Sequence, residues 1–164
     1  MIGLSTPASW AILALASFAQ TDRRVLARDL AASLGAPLPY LSQVLHRLSV
    51  AGLVDAKRGQ GGGFTLAVPA ENLTVATVVD MIEGTDWLSG CLLGSAECSD
   101  ARACPTHAFW KAERGRIRKA LQRLTIRTVA DFEIGQGRGF MFPTTVAPPR
   151  KDRRRPVRGS DHAK

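Results

Sequence analysis

No apolar run in this 164-residue chain reaches the roughly 18 residues needed to span a bilayer, so no membrane association is expected. Cysteine is missing everywhere except a 14-residue window that holds Cys91, Cys98 and Cys104. An odd count cannot form a closed disulfide framework, and such clustering suits metal ligation in a reducing compartment better. Neither Lys nor Arg precedes Arg23. The small, apolar stretch Ala8 to Ala19 therefore lacks the basic flank of a secretory signal and reads as a buried helix, with Pro7 in its first turn and Ser5 or Thr6 near its cap. A cytoplasmic location is the expectation. No Ser/His/Asp set or carboxylate pair stands out, and His46 and His162 lie in helix-face and tail settings, so no enzyme is expected. Internal repeats are also missing.

What is present begins with charge. The formal balance is +8, and it is uneven: Arg150 to Lys164 carries +5, leaving +3 on the other 149 residues. A basic balance favours an anionic partner, nucleic acid before membrane. Hydrophobic content of 45% excludes a wholly disordered chain. From Gly135 onward Gly, Pro and Arg dominate without apolar periodicity, which reads as a disordered tail.

The body divides into short elements. After the first helix, a second fits Val25 to Leu34 and stops at Gly35. Pro37 and Pro39 bracket a turn. Along Tyr40 to Ala51, Leu41, Val44, Leu45 and Leu48 make one apolar stripe at helical spacing. The opposite face carries Pro39, Ser42, Gln43, His46 and Arg47, with Tyr40 at its edge. Leu53–Arg58 and Phe64–Val68 are strand-like runs around the glycine-rich 59–63, a β-hairpin. Thr74 caps a helix from Val75 to about Glu83. Residues 84–103 are loop-like, Cys104-Pro105 opens a long helix to about Thr125, and Thr128 to Phe132 makes a short helical turn. The expected fold is mainly α with a small β-hairpin wing: a winged helix-turn-helix domain over 1–83, a ligand loop over 84–104, a dimerisation helix region over 105–134 and the basic tail over 135–164.

Helix, turn, helix and hairpin is an order that suits double-stranded DNA. The apolar stripe pins the third helix and frees its polar face for a major groove. Gln43 and Arg47 are side-chain types that read base edges; Tyr40, Ser42 and His46 can bond phosphates or bases. At the hairpin tip, Lys57 and Arg58 stand beside glycines, Gly61 and Gly62 among them, whose missing Cβ atoms permit close approach to a sugar-phosphate backbone. A Walker-type phosphate loop does not fit, because no lysine follows the glycines and Phe64 begins a strand. The competing reading is a common small scaffold with a solvated charged tip.

Six residues separate Cys91 from Cys98, five separate Cys98 from Cys104, and His107 follows after two more. Thiolates are soft ligands for iron–sulfur clusters, zinc or Cu(I), and His107 can point to the same centre. A helix opening at Cys104-Pro105 would offer free amide donors to negatively charged sulfurs. Three Cys and one His also form a closed structural zinc set. Unligated thiols on a mobile loop are the third alternative.

These residues resemble the IscR/NsrR family of bacterial winged-helix iron–sulfur transcriptional regulators. The likeness runs from about Leu4 to Phe132 and rests on Tyr40-Leu41, the run Leu48 to Arg58, the GQGGGF wing, Val78-Val79 to Gly84 and the three cysteines. It implies a homodimer built on the long helix 105–124, and an operator-binding regulator, expected as a repressor, controlled by a cluster that senses iron, redox state or nitric oxide. By residue match it implies DNA contact at Tyr40, Ser42, Gln43 and Arg58, and ligation by Cys91, Cys98, Cys104 and His107. There are departures. The first cysteine gap is one residue longer than in many members, Gln60 stands where the wing often has Pro, Trp10 where the first helix often has Tyr, and Ser42 at a site acidic in some members. Some 4Fe-4S members take a carboxylate from the partner's first helix, and no Asp or Glu occurs here before Asp22. The resemblance therefore implies a 2Fe-2S cluster with His107 as fourth ligand, 4Fe-4S being the alternative. A winged-helix regulator with structural zinc or no metal, answering another ligand or partner, is the rival reading.

On the long helix, Phe109, Trp110, Ile117, Ala120, Leu121 and Leu124 share one arc of about 120°. That is too much apolar surface for a solvated helix, and dimerisation or packing on its own domain explains it. Glu113 falls within the arc, with Arg114 and Arg116 as its candidate partners.

Overall fold

The computed structural model describes residues 3–94 and 98–136. Helix α1 (Thr6–Phe18) starts where Ser5 Oγ accepts the Ala8 amide, with Pro7 in the first turn. Its apolar residues surround the helix rather than striping it, and nine of its thirteen positions are buried, so it lies at the centre of the core. Helix α2 spans Ala27–Leu34 and ends at Gly35 in the left-handed region. It starts two residues later than the periodicity predicts, because Val25 is taken into a β-bridge with Phe64. Helix α3 (Leu38–Val50) begins before Tyr40, since Leu38 and Pro39 fill its first turn.

The hairpin consists of β1 (Val54–Lys57) and β2 (Gly63–Leu66), antiparallel, with Val54 opposite Leu66 and Lys57 opposite Gly63. Helix α4 (Val75–Glu83) is capped by Thr74, whose hydroxyl accepts the Thr77 amide. One 3-10 turn, Asp100–Arg102, interrupts the loop that follows. Helix α5 spans His107–Arg123, three residues later than Cys104, because Cys104 to Thr106 form a turn closed by the His107 amide on the Cys104 carbonyl at 2.9 Å. Cys104-Pro105 thus lies outside the helix, and the free helix amides are those after it.

The predicted turn at Thr128 to Phe132 is a full helix, α6 (Ile126–Gln136), reaching past the expected start of the tail. Ile126 and Ala130 are completely buried against α1, and the Val75 amide donates to the Leu124 carbonyl. The chain after α5 therefore returns to the core of the winged domain. The rest of the basic tail, 137–164, lies outside the described residues. No helix among the described residues is long and apolar enough to cross a membrane.

Candidate nucleic-acid interface and cysteine-loop site

The apolar stripe of α3 packs as its spacing requires: Leu41, Leu45 and Leu48 are fully buried and Val44 nearly so. Ser42, Gln43 and His46 consequently stand exposed on the opposite face. Tyr40, in the first turn of α3, is half-buried, edge-on to Trp10 with ring centroids 5.3 Å apart.

Arg47, exposed on the same helix, makes a contact that periodicity does not predict. Its Nη2 donates to the Ile82 carbonyl at 2.6 Å and, more weakly, to the Met81 carbonyl at 3.5 Å. The last carbonyls of a helix have no partner within it, and a cation there also meets the negative end of the dipole. Arg47, exposed on α3, thus also caps the end of α4.

At the wing tip Gly59 and Gly61 have φ of 84° and 67°, and the Gly62 amide donates to the Gly59 carbonyl at 2.9 Å. A Cβ on Gly62 would lie 2.6 Å from the Lys57 carbonyl oxygen and 2.7 Å from that of Gly59, so this glycine is required by packing. Lys57 and Arg58 are exposed and form no ion pair among the described residues. Arg24 braces the base of the wing: its guanidinium donates to the Gly63 carbonyl at 3.2 Å, the Asp55 carbonyl at 3.3 Å and the Asp55 carboxylate. Between α3 and the wing lies a groove of 590 Å³ lined by Ser42, His46, Ser49, Lys57, Arg58 and Gly62. Ser49 and Arg24 are not singled out by sequence. Ser49 sits one turn beyond His46, where helical spacing alone could have placed it.

Two short contacts in the cysteine loop involve the candidate donors. Cys98 Sγ is 3.5 Å from His107 Nδ1. Cys104 Sγ is 3.2 Å from the Thr106 hydroxyl. That hydroxyl first, then the Thr106 amide, holds the Cys104 thiol below the usual thiol range, with a smaller contribution from Cys91. His107 is buried at 7% exposure, and its other ring nitrogen, Nε2, meets Asp100 Oδ1 at 2.9 Å. Asp100 also receives Lys111 Nζ at 2.9 and 2.8 Å, and these bonds, Lys111 first and His107 second, hold its carboxyl below the usual carboxylate range. Three thiols and an imidazole with its nitrogen turned to one of them are a donor set that fits an iron–sulfur cluster or zinc. Among the described residues, however, no three His, Cys, Asp or Glu side chains converge closely enough to hold a metal ion. Asp100, Lys111 and Thr106 were not predicted. The i, i+4 spacing of His107 and Lys111 is the one sequence signal that relates them.

The loop is fastened to α5. Trp110 Nε1 donates to the Gly90 carbonyl at 2.8 Å, and Arg114 donates to the carbonyls of Leu88 and Ser89. Asp80 on α4 accepts from Trp87 Nε1 at 2.9 Å and from Arg118 at 2.6 Å. Arg114 is thus committed to the loop, and Glu113 pairs with Arg116 at 2.7 Å. The predicted apolar arc divides. Trp110 is buried, Ile117 and Leu121 are half-buried beside it along an open 480 Å³ cleft that Leu4, Trp87 and Cys91 also line, and Phe109 and Leu124 remain exposed.

Comparison with known proteins agrees with this architecture. The chain is 34% identical over 98 residues to the HTH-type transcriptional regulator IscR of Vibrio atlanticus, covering 60% of this chain and 56% of the relative, so it spans little more than half that protein's length. The structure of T. potens IscR superposes with a TM-score of 0.65 at 25% identity, over 82% of this chain and 91% of the other. CymR, the global cysteine regulator of B. subtilis, gives a TM-score of 0.68 at 21% identity, over 80% and 98%, a likeness of fold alone. These relatives are regulators, not enzymes. Residues 4–131 match the Rrf2 family, described as iron-dependent transcriptional regulator, and the chain belongs to that family.

Proposed function

We propose that this chain is an operator-binding transcriptional repressor whose DNA affinity is set by a 2Fe-2S cluster held by Cys91, Cys98, Cys104 and His107. The observation that carries this reading is the buried His107 with Nδ1 turned to Cys98 Sγ, on a loop that also places the acidified Cys104 thiol near Cys91. Ser42, Gln43 and His46 on α3, with Tyr40 at its start, would meet the major groove, and Lys57, Arg58, Gly61 and Gly62 of the wing the adjacent backbone. When bound, the cluster supplies a redox- and nitric oxide-sensitive centre. The protein's own part is mechanical. Trp110 and Arg114 tie the loop to α5, Arg118 ties α5 to Asp80 of α4, and Arg47 ties the end of α4 to α3. Cluster occupancy is thereby communicated to α3, and the coupling is reciprocal. A second copy would pack along α5, giving the twofold arrangement that palindromic half-sites require.

Anaerobic purification followed by iron and sulfide analysis tests the premise, and operator titration of Cys98→Ala at fixed salt tests the coupling. Equimolar iron and sulfide with an altered binding curve is the expected result. A second reading is a winged-helix regulator with structural zinc or no metal, and its metal-free form is favoured because no three donor side chains converge among the described residues. One zinc and no sulfide, or an unchanged curve, would establish it instead.

A further inference from the structure

Resting on the reading of His107 as a ligand, the geometry points to Asp100 as the positioning residue that, anchored by Lys111, presents Nδ1 of His107 to the thiols. His107 has two ring nitrogens with different neighbours. Nε2 lies 2.9 Å from Asp100 Oδ1 and Nδ1 lies 3.5 Å from Cys98 Sγ. An ionised carboxylate only accepts, so the proton on that side belongs to Nε2. A neutral imidazole protonated at Nε2 leaves the lone pair on Nδ1, the nitrogen directed at the cysteine.

The carboxylate is itself held. Both Asp100 oxygens accept from Lys111 Nζ, at 2.9 and 2.8 Å, and Lys111 stands one helical turn after His107 on α5. Asp100 lies on the 3-10 turn between Cys98 and Cys104. One side chain therefore joins the ligand loop, the ring and α5. A surface ion pair offers an alternative account, but Asp100 and Lys111 side chains are 75% and 58% exposed, and such pairs contribute little to stability. What the carboxylate alters is which way a buried ring faces. Carboxylates behind metal-bound histidines act in this way, and their loss typically weakens metal retention about 10–100-fold.

The test uses the full chain in three forms: wild type, Asp100→Ala and Asp100→Asn. In metal-free protein labelled with 15N in the histidine rings, held in mildly alkaline buffer, wild-type His107 is expected as the Nε2–H tautomer. Asp100→Ala should give a tautomer mixture. Asp100→Asn, whose amide oxygen still accepts, should restore the wild-type form. In iron–sulfur-loaded protein, magnetic resonance should find the coupled nitrogen to be Nδ1, and a chelator should strip Asp100→Ala about 10-fold faster than wild type, with the melting temperature of the metal-free protein unchanged. An unchanged tautomer in Asp100→Ala, coupling through Nε2, or equal stripping rates would each overturn the assignment while leaving the cluster reading intact. If wild-type protein takes up neither iron nor sulfide, the cluster reading fails and the positioning role falls with it, whatever the tautomer.

Discussion

Arg47 Nη2 on α3 lies 2.6 Å from the carbonyl oxygen of Ile82 at the end of α4, a bond between residues 35 positions apart. It makes the orientation of α3 depend on the helix that leads into the cysteine loop. Replacing Arg47 with Met should therefore weaken binding evenly across operator variants, with a stability loss of about 1 kcal/mol by denaturant titration. Loss of preference at a single base pair, worth about 1–3 kcal/mol, would instead mark Arg47 as a base reader.

The wing glycines should not be equivalent. A Cβ on Gly62 meets two backbone carbonyls, and one on Gly63, at φ 129°, comes 2.8 Å from the Val25 carbonyl oxygen. Gly61, at φ 67°, has open space around it. Gly61→Ala is expected to cost about 1–2 kcal/mol from backbone strain alone. Gly62→Ala and Gly63→Ala should cost more, because backbone must move, and should lower both melting temperature and DNA affinity. Equal melting temperatures for the three variants would show that the tip is free to rearrange.

Thr106 tunes the reactivity of Cys104. Its hydroxyl is the largest cause of the lowered thiol pKa, so the thiolate fraction near neutrality exceeds that of an ordinary cysteine. Metal-free protein should alkylate at Cys104 with a pH midpoint below the usual thiol value, and Thr106→Val should raise that midpoint. The linkage has a definite sign. A thiol whose pKa falls on folding contributes stability above its unfolded pKa and loses it as pH falls through the folded one. The turn from Cys104 to His107 should accordingly loosen on acidification through that window, measured by amide exchange at His107. A midpoint insensitive to Thr106→Val would remove the hydroxyl as the cause.

How much of this was legible beforehand depends on the range of the interactions involved. The stripe Leu41, Val44, Leu45 and Leu48 and the cap at Thr74 are local patterns, and α3 and α4 follow from them closely. Cys104-Pro105 was misleading for a local reason: proline favours a first helical turn, yet the chain makes one closed turn before α5 starts at His107. Helix α6 was underestimated because Ile126 and Ala130 are buried by α1, a partner more than a hundred residues away. At the site, residue type and spacing single out Cys91, Cys98, Cys104 and His107, and the structure brings Cys98 and His107 into contact. The roles of Asp100 and Arg24 and the bond from Arg47 to α4 depend on tertiary neighbours that no periodicity encodes.

The wing cations carry a prediction in salt. Lys57 and Arg58 stand exposed at the tip without an ion pair among the described residues, available to phosphates. Each cation that neutralises a phosphate releases counterions and adds about 0.9 to the slope of log affinity against log salt. Lys57→Ala should reduce that slope by about one, with sequence preference unchanged. Arg58→Ala should reduce it similarly, and should also relax preference if its guanidinium enters a narrow minor groove. A slope unchanged in both variants would place the wing off the DNA.

The divided face of α5 makes the last prediction. Trp110 is buried by its own domain and is a poor candidate for a seam between two copies, while Ile117 and Leu121 are half-buried along an open cleft. Phe109 is 60% exposed beside them, and Leu124 and Phe132 are 41% and 59% exposed toward the other end. Large apolar side chains left in water on one stretch of chain are the pattern expected of an association surface. Phe109→Glu should therefore shift sedimentation toward the monomer without lowering the melting temperature of the winged domain. Burying a Phe side chain contributes about 1.5–3 kcal/mol, and a twofold seam loses it twice, so the expected weakening is at least about 100-fold. Trp110→Ala should do the reverse, destabilising the fold by about 3–5 kcal/mol through a core cavity. Were Phe109→Glu to leave the oligomeric state unchanged at micromolar protein, α5 would have to be assigned to intramolecular packing alone.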